Sequence, residues 1–101
     1  MLTLCIRYSI DPNKLGEFRA YVTGEQGPIS RAGGRIVGYF LPTDFAGPNN
    51  EGIGLIDFPS LDHYEKYRRA LADDTDHKRN VAQLERSGAV SAMNRSFIQR
   101  L

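Results

Sequence analysis

Gly33 to Phe58 reads GGRIVGYFLPTDFAGPNNEGIGLIDF, two β-rich runs around a loop full of chain breakers. Arg35 to Leu41 and Gly52 to Phe58 are the runs. Between them stand Pro42, Gly47, Pro48, Asn49 and Asn50, the composition of a long hairpin connection. In the first run Val37, Tyr39 and Leu41 alternate with Ile36, Gly38 and Phe40; in the second Ile53, Leu55 and Asp57 alternate with Gly54, Ile56 and Phe58. Both faces of the hairpin carry apolar groups, so both are expected to be covered. Glycines between bulky residues, Gly38 among them, imply that something packs close against the backbone there.

Outward from the hairpin, each run adjoins helical periodicity. Upstream, Leu2, Leu4, Ile6 and Tyr8 alternate with Thr3, Cys5, Arg7 and Ser9, the period-two pattern of a strand. Asp11-Pro12 stops that strand and caps a helix whose stripe is Leu15, Phe18, Val22 and Ile29. Gly24 and Gly27-Pro28 weaken its second half and predict a kink or an end near Gly27. Downstream, Pro59 ends the hairpin and Ser60 reads as the N-cap of a helix with Leu61, Tyr64, Arg68 and Leu71 on one face, running to about Ala72. Asp73-Asp74-Thr75-Asp76 begins a further helical stretch after a bend, with Val81 and Leu84 inward and Ser87-Gly88 at its close. Val90 to Leu101 alternates again and predicts a last strand.

The order strand, helix, strand, strand, helix, strand over residues 1–101 predicts one α+β domain of ferredoxin-like βαββαβ type: a four-stranded antiparallel sheet with helices on one face. Helices can cover only one face of a sheet that is apolar on both. A second copy laid face to face on the other gives a homodimer, the sheets paired as a dimeric α/β barrel. With 101 residues the chain buries about two-thirds of its unfolded surface, which leaves little apolar area to spare. Its 13 Lys and Arg against 12 Asp and Glu give no field that would draw nucleic acid or an anionic membrane. No apolar run approaches the roughly 20 residues of a membrane span, and the lone Cys5 sits inside a strand pattern as a small buried hydrophobe. A cytoplasmic, reducing setting is expected.

These residues resemble the NIPSNAP family of the dimeric α/β-barrel superfamily. The resemblance runs through Tyr8 with Pro12 and Lys14-Leu15-Gly16-Glu17-Phe18, then Gly34-Arg35-Ile36-Val37-Gly38-Tyr39-Phe40, then Asp57-Phe58-Pro59-Ser60-Leu61 and on to Leu71 and Asp73-Asp74. It implies a ferredoxin-like subunit dimerised through its sheets, and it names no reaction. Cys5 and Ile6 stand where such proteins often carry polar residues, and Asp76-His77 stands where an aromatic is expected after the acidic pair. Related folds use the space between sheet and helices for cofactor-independent oxygenation or isomerisation.

Two groups of residues carry candidate chemistry. Asp73, Asp74, Asp76 and His77 have the composition of a cation site, but acidic residues at a helix start already serve as caps and dipole partners, and no calcium-loop spacing is present. No metal is expected. Tyr8, Tyr39, His63, Tyr64 and Arg68 form the second group: tyrosines from two strands face a helix bearing an imidazole and a guanidinium, a set that can hold an aromatic or keto ligand and move its protons. His63 and Tyr67 are four apart and share a helix face. The alternative places His63 and Tyr67 at an exposed helix surface or a subunit seam and Tyr64 in the core, in a non-catalytic interaction or structural dimer. There is no phosphate loop, serine elbow or cysteine pair, and Gly52-Ile53-Gly54 lacks the helix of a dinucleotide site, so no cofactor is expected.

Overall fold

The computed structural model describes residues 1–43, 45 and 47–101; positions 44 and 46, in the hairpin loop, lie outside the described residues. Seven elements follow in order: β1 (Leu2–Ile10), α1 (Leu15–Ala32), β2 (Arg35–Phe40), β3 (Glu51–Phe58), α2 (Leu61–Asp73), α3 (Thr75–Ser87) and β4 (Val90–Ile98). The strands form one antiparallel sheet in the order β2-β3-β1-β4. That order is the ferredoxin-like arrangement, with the second helix of the pattern divided into α2 and α3.

β1 is central and its alternation is regular. Leu4, Ile6, Tyr8 and Ile10 point to the helices, where Phe18, Tyr21 and Ile29 of α1 and Ile56 and Phe58 of β3 close the core around them. Asp11 caps as expected, but over a short 3-10 turn, Pro12–Lys14, that precedes α1. α1 itself does not break near Gly27. It runs unbroken through Pro28 to Gly33, whose φ of 106° is open to glycine and lets the Gly33 and Gly34 amides bond back to Ser30 and Ile29. Its buried stripe outweighs the hydrogen bond lost at Pro28. Gly24 serves packing: a β-carbon there would lie 2.6 Å from Asn80 of α3, so the two helices meet at this glycine.

The hairpin departs from strict alternation at one residue. Ile36 pairs with Ile56 but Gly38 pairs with Leu55, so Val37 is a β-bulge. The extra residue puts Ile36 and Tyr39 on the same, helix-facing side, although simple alternation sets them apart. Phe40, at 51% exposure, remains on the open side with Ile53, Leu55 and Ile98, while Cys5 beneath them is buried. Gly54 is tight, a β-carbon there coming 2.6 Å from the Tyr39 ring, and so is Gly52, 2.7 Å from Ile10; at Gly38 it would meet only the exposed end of Phe40.

α2 and α3 are separated by the single extended residue Asp74. Its Oδ1 accepts from the His77 amide at 3.0 Å and both oxygens take the Arg31 guanidinium of α1, which hold its carboxyl below the usual carboxylate range. Asp76 pairs with Arg31 and Arg79. The acidic run is thus a cap and clamp, and among the described residues no three potential metal-ligating side chains converge. No described helix is long and apolar enough to cross a membrane.

Gly54→Ala is expected to cost about 1–3 kcal/mol, because the new methyl overlaps the Tyr39 ring. Gly38→Ala should stay within about 0.5 kcal/mol of the parent. Equal denaturant midpoints for the two variants would show that Tyr39 moves aside freely.

Candidate functional site

Between the sheet and the helix layer lies a cavity of about 170 Å³. Its floor is Leu4, Ile6, Tyr8 and Ile56 of the sheet, with Tyr39 at one side and Arg95 of β4 at the other. α1 contributes Tyr21, Glu25 and Ile29; α2 contributes Tyr64, Tyr67, Arg68 and Leu71; α3 contributes His77. The lining follows from local periodicity. Tyr64, Tyr67 and Leu71 are the i, i+3, i+7 face of α2, and Tyr21, Glu25 and Ile29 are the matching face of α1.

The tyrosines meet in mixed geometries: Tyr8 and Tyr21 edge to face, Tyr8 and Tyr39 tilted, Tyr64 and Tyr67 stacked. Tyr8 lies 6.3 Å from Tyr39 and 6.4 Å from Tyr21 between ring centres, and Phe58 meets Tyr67 at 4.7 Å. Burial pushes the phenols of Tyr8, Tyr21, Tyr39 and Tyr67 well above the usual tyrosine range. They stay protonated and act as hydrogen-bond donors.

Glu25 is the buried charge of the site, 1% exposed. Its Oε1 is 2.7 Å from His77 Nδ1 and accepts a longer bond, 3.4 Å, from the Tyr21 hydroxyl; its Oε2 accepts from Asn80 Nδ2 at 3.3 Å. The short contact to His77 is the dominant one. With Nδ1–H directed at the carboxylate, Nε2 is left as the basic ring nitrogen, the orientation that carboxylate–histidine pairs use for proton transfer. At the α2 rim, Arg68 Nη1 donates to the Tyr64 hydroxyl at 2.9 Å and its guanidinium lies over the Tyr64 ring.

Four of the five residues singled out from the sequence, Tyr8, Tyr39, Tyr64 and Arg68, line this cavity; His63 does not. His63 is exposed in the first turn of α2, with its ring Nδ1 3.1 Å from Ser60 Oγ. Its ring is held at the cap hydroxyl of Ser60, outside the cavity lining. Tyr67, one turn later, is buried. The histidine of the site is His77, from the acidic run, and its partner Glu25 is new. A carboxylate at an inward position of the α1 stripe, three residues after Val22 and four before Ile29, is the signal that would have found it.

What these elements define is a ferredoxin-like α+β protein with a tyrosine-lined cavity between sheet and helices. The chain belongs to the NIPSNAP family: the model of that family, described as NIPSNAP, matches residues 3–101. Among solved structures, a NIPSNAP domain protein from Burkholderia xenovorans is 18% identical, with a TM-score of 0.84, covering 100% of this chain and 95% of the other. A NIPSNAP family protein from Agrobacterium tumefaciens is 24% identical with a TM-score of 0.81, covering 99% and 85%. SnoaB, a cofactor-independent oxygenase from Streptomyces nogalater, is 17% identical with a TM-score of 0.64, covering 99% and 92%. At these identities the likeness is one of fold. No curated protein matches the chain in sequence.

Glu25→Ala is expected to cost on the order of 2 kcal/mol or more, because the His77, Asn80 and Tyr21 donors lose their common acceptor. Glu25→Gln should cost less, since an amide oxygen still accepts. Urea melts at neutral pH decide it, and an unchanged Glu25→Ala midpoint would mean that water replaces the carboxylate without penalty.

Proposed function

We propose that this protein binds a small molecule between its sheet and helices and acts on it as an enzyme-like, cofactor-independent protein of the dimeric α/β-barrel kind. Tyr8, Tyr39, Tyr64 and Arg68 are the ligand contacts, and His77, oriented by Glu25, handles protons. The Glu25–His77 pair in the cavity wall carries this reading. A buried carboxylate contributes little to stability that a well-packed apolar side chain would not, and here it fixes an imidazole at an open cavity, the arrangement of a general base. The cavity is too small for a nucleotide or flavin. SnoaB, which shares the fold, is a cofactor-independent oxygenase by its description.

The working unit in this reading is a cytoplasmic homodimer, paired through the open sheet face. Phe40 and Ile98 are about half exposed there, beside Ile53 and Leu55. The same face favours a second reading, a non-catalytic interaction or structural dimer, in which the cavity stays empty.

A protein-observed NMR screen with single-ring phenols and small keto acids separates the two. Shifts confined to the residues around Tyr39 and His77, lost in Tyr39→Ala, support a ligand site; cavity resonances that never move remove it. Sedimentation at micromolar concentration should give a dimer, with at least about 1,000 Å² buried between copies, and a monomer would refute the sheet-to-sheet pairing under both readings.

A further inference from the structure

The cavity has two chemically different ends. Inside are His77 and Glu25; at the α2 and β4 side are two guanidiniums, Arg68 and Arg95. Elsewhere Arg31, Arg79 and Lys66 pair with aspartates, while most of the other described cations, like these two, make no ion pair; what sets Arg68 and Arg95 apart is that both line the cavity. No described carboxylate lies within ion-pair distance of Arg68 or Arg95. The β4 register places Arg95 opposite Ile6, on the helix-facing side of the sheet between Met93 and Phe97. Both arginines line the same cavity, from α2 and from β4. Arg68 is held in place by the Tyr64 hydroxyl.

Size and lining restrict what can enter. A cavity of about 150 Å³ takes a benzene molecule, and this one, at about 170 Å³, has room for one ring with one or two small substituents. Its long walls are the flat faces and edges of Tyr8, Tyr21, Tyr39 and Tyr67. Burial keeps the hydroxyls of Tyr8 and Tyr39 protonated, so they can donate to an acceptor oxygen.

We propose that the ligand is a single-ring aromatic or enolic carboxylate, its acid group on Arg68 and Arg95 at the mouth and its ring oxygen among the tyrosine hydroxyls and His77. This rests on the small-molecule reading above and adds the charge, size and orientation of the molecule.

The test uses two isosteric probes, 4-hydroxybenzoate and its neutral amide, 4-hydroxybenzamide, titrated into the protein by NMR. The acid should shift the resonances around Tyr39 and His77, and the amide should bind about tenfold or more weakly. Arg68→Gln and Arg95→Gln should each weaken the acid about tenfold and leave the amide unchanged, while Arg79→Gln, whose guanidinium belongs to Asp76, changes neither. Because both cavity arginines are exposed, their variants are expected to fold, and the acid–amide comparison on the parent needs no variant. Equal binding of acid and amide, or arginine variants that keep the parent's affinity for the acid, overturns the carboxylate assignment and leaves a neutral-ligand site standing. Cavity resonances that respond to neither probe overturn both readings.

Discussion

A carboxylate sealed inside a protein of this size has to be met by donors, and the arrangement of the helix layer follows from how Glu25 is met. At 1% exposure it meets its partners within the chain. His77 and Asn80 of α3 reach it from one side and Tyr21 of α1 from the other. For α3 to come that close, α1 has to be bare at Gly24, where Asn80 also bonds the Tyr21 carbonyl. For His77 to face inward from its first turn, α3 has to begin at Asp74, and the Arg31 guanidinium of α1 fixes that beginning. One buried charge therefore accounts for a helix break, a helix crossing and an imidazole orientation.

The same geometry separates stability from chemistry within the cavity. Leu4, Ile6, Ile29 and Ile56 form an apolar floor and wall that any hydrophobe could supply. The tyrosines are different: they fill volume as rings and keep their hydroxyls protonated by burial. Such a wall offers flat apolar surface and hydroxyl donors side by side.

Much of this was legible in the sequence. The alternation of Leu2 to Ile10, the cap at Ser60, the break at Asp74 and the order of elements were all there to read, because period and capping are local properties. Tyr8, Tyr39, Tyr64 and Arg68, grouped on the sequence, do line one cavity. His63 was expected in the cavity on its helical spacing to Tyr67, but its ring sits at the Ser60 cap instead. His77 was passed over because the acidic residues around it explain themselves as caps. Glu25 and the Val37 bulge were missed for a common reason: each breaks a pattern at one position, and the compensation lies in a distant element. Glu25 is answered from residues 77 and 80, and the bulge shows only in the pairing of β2 with β3. The unbroken course of α1 through Pro28 was hidden similarly, since the stripe that holds it becomes binding only when β1 and α3 are in place.

The bulge at Val37 also bears on how the protein avoids polymerising. β2 is an edge strand, and a straight edge offers a row of free amides and carbonyls to any strand that drifts past. The extra residue twists and bends β2 locally and interrupts that row. A strand drifting past β2 therefore meets an interrupted edge instead of a continuous template.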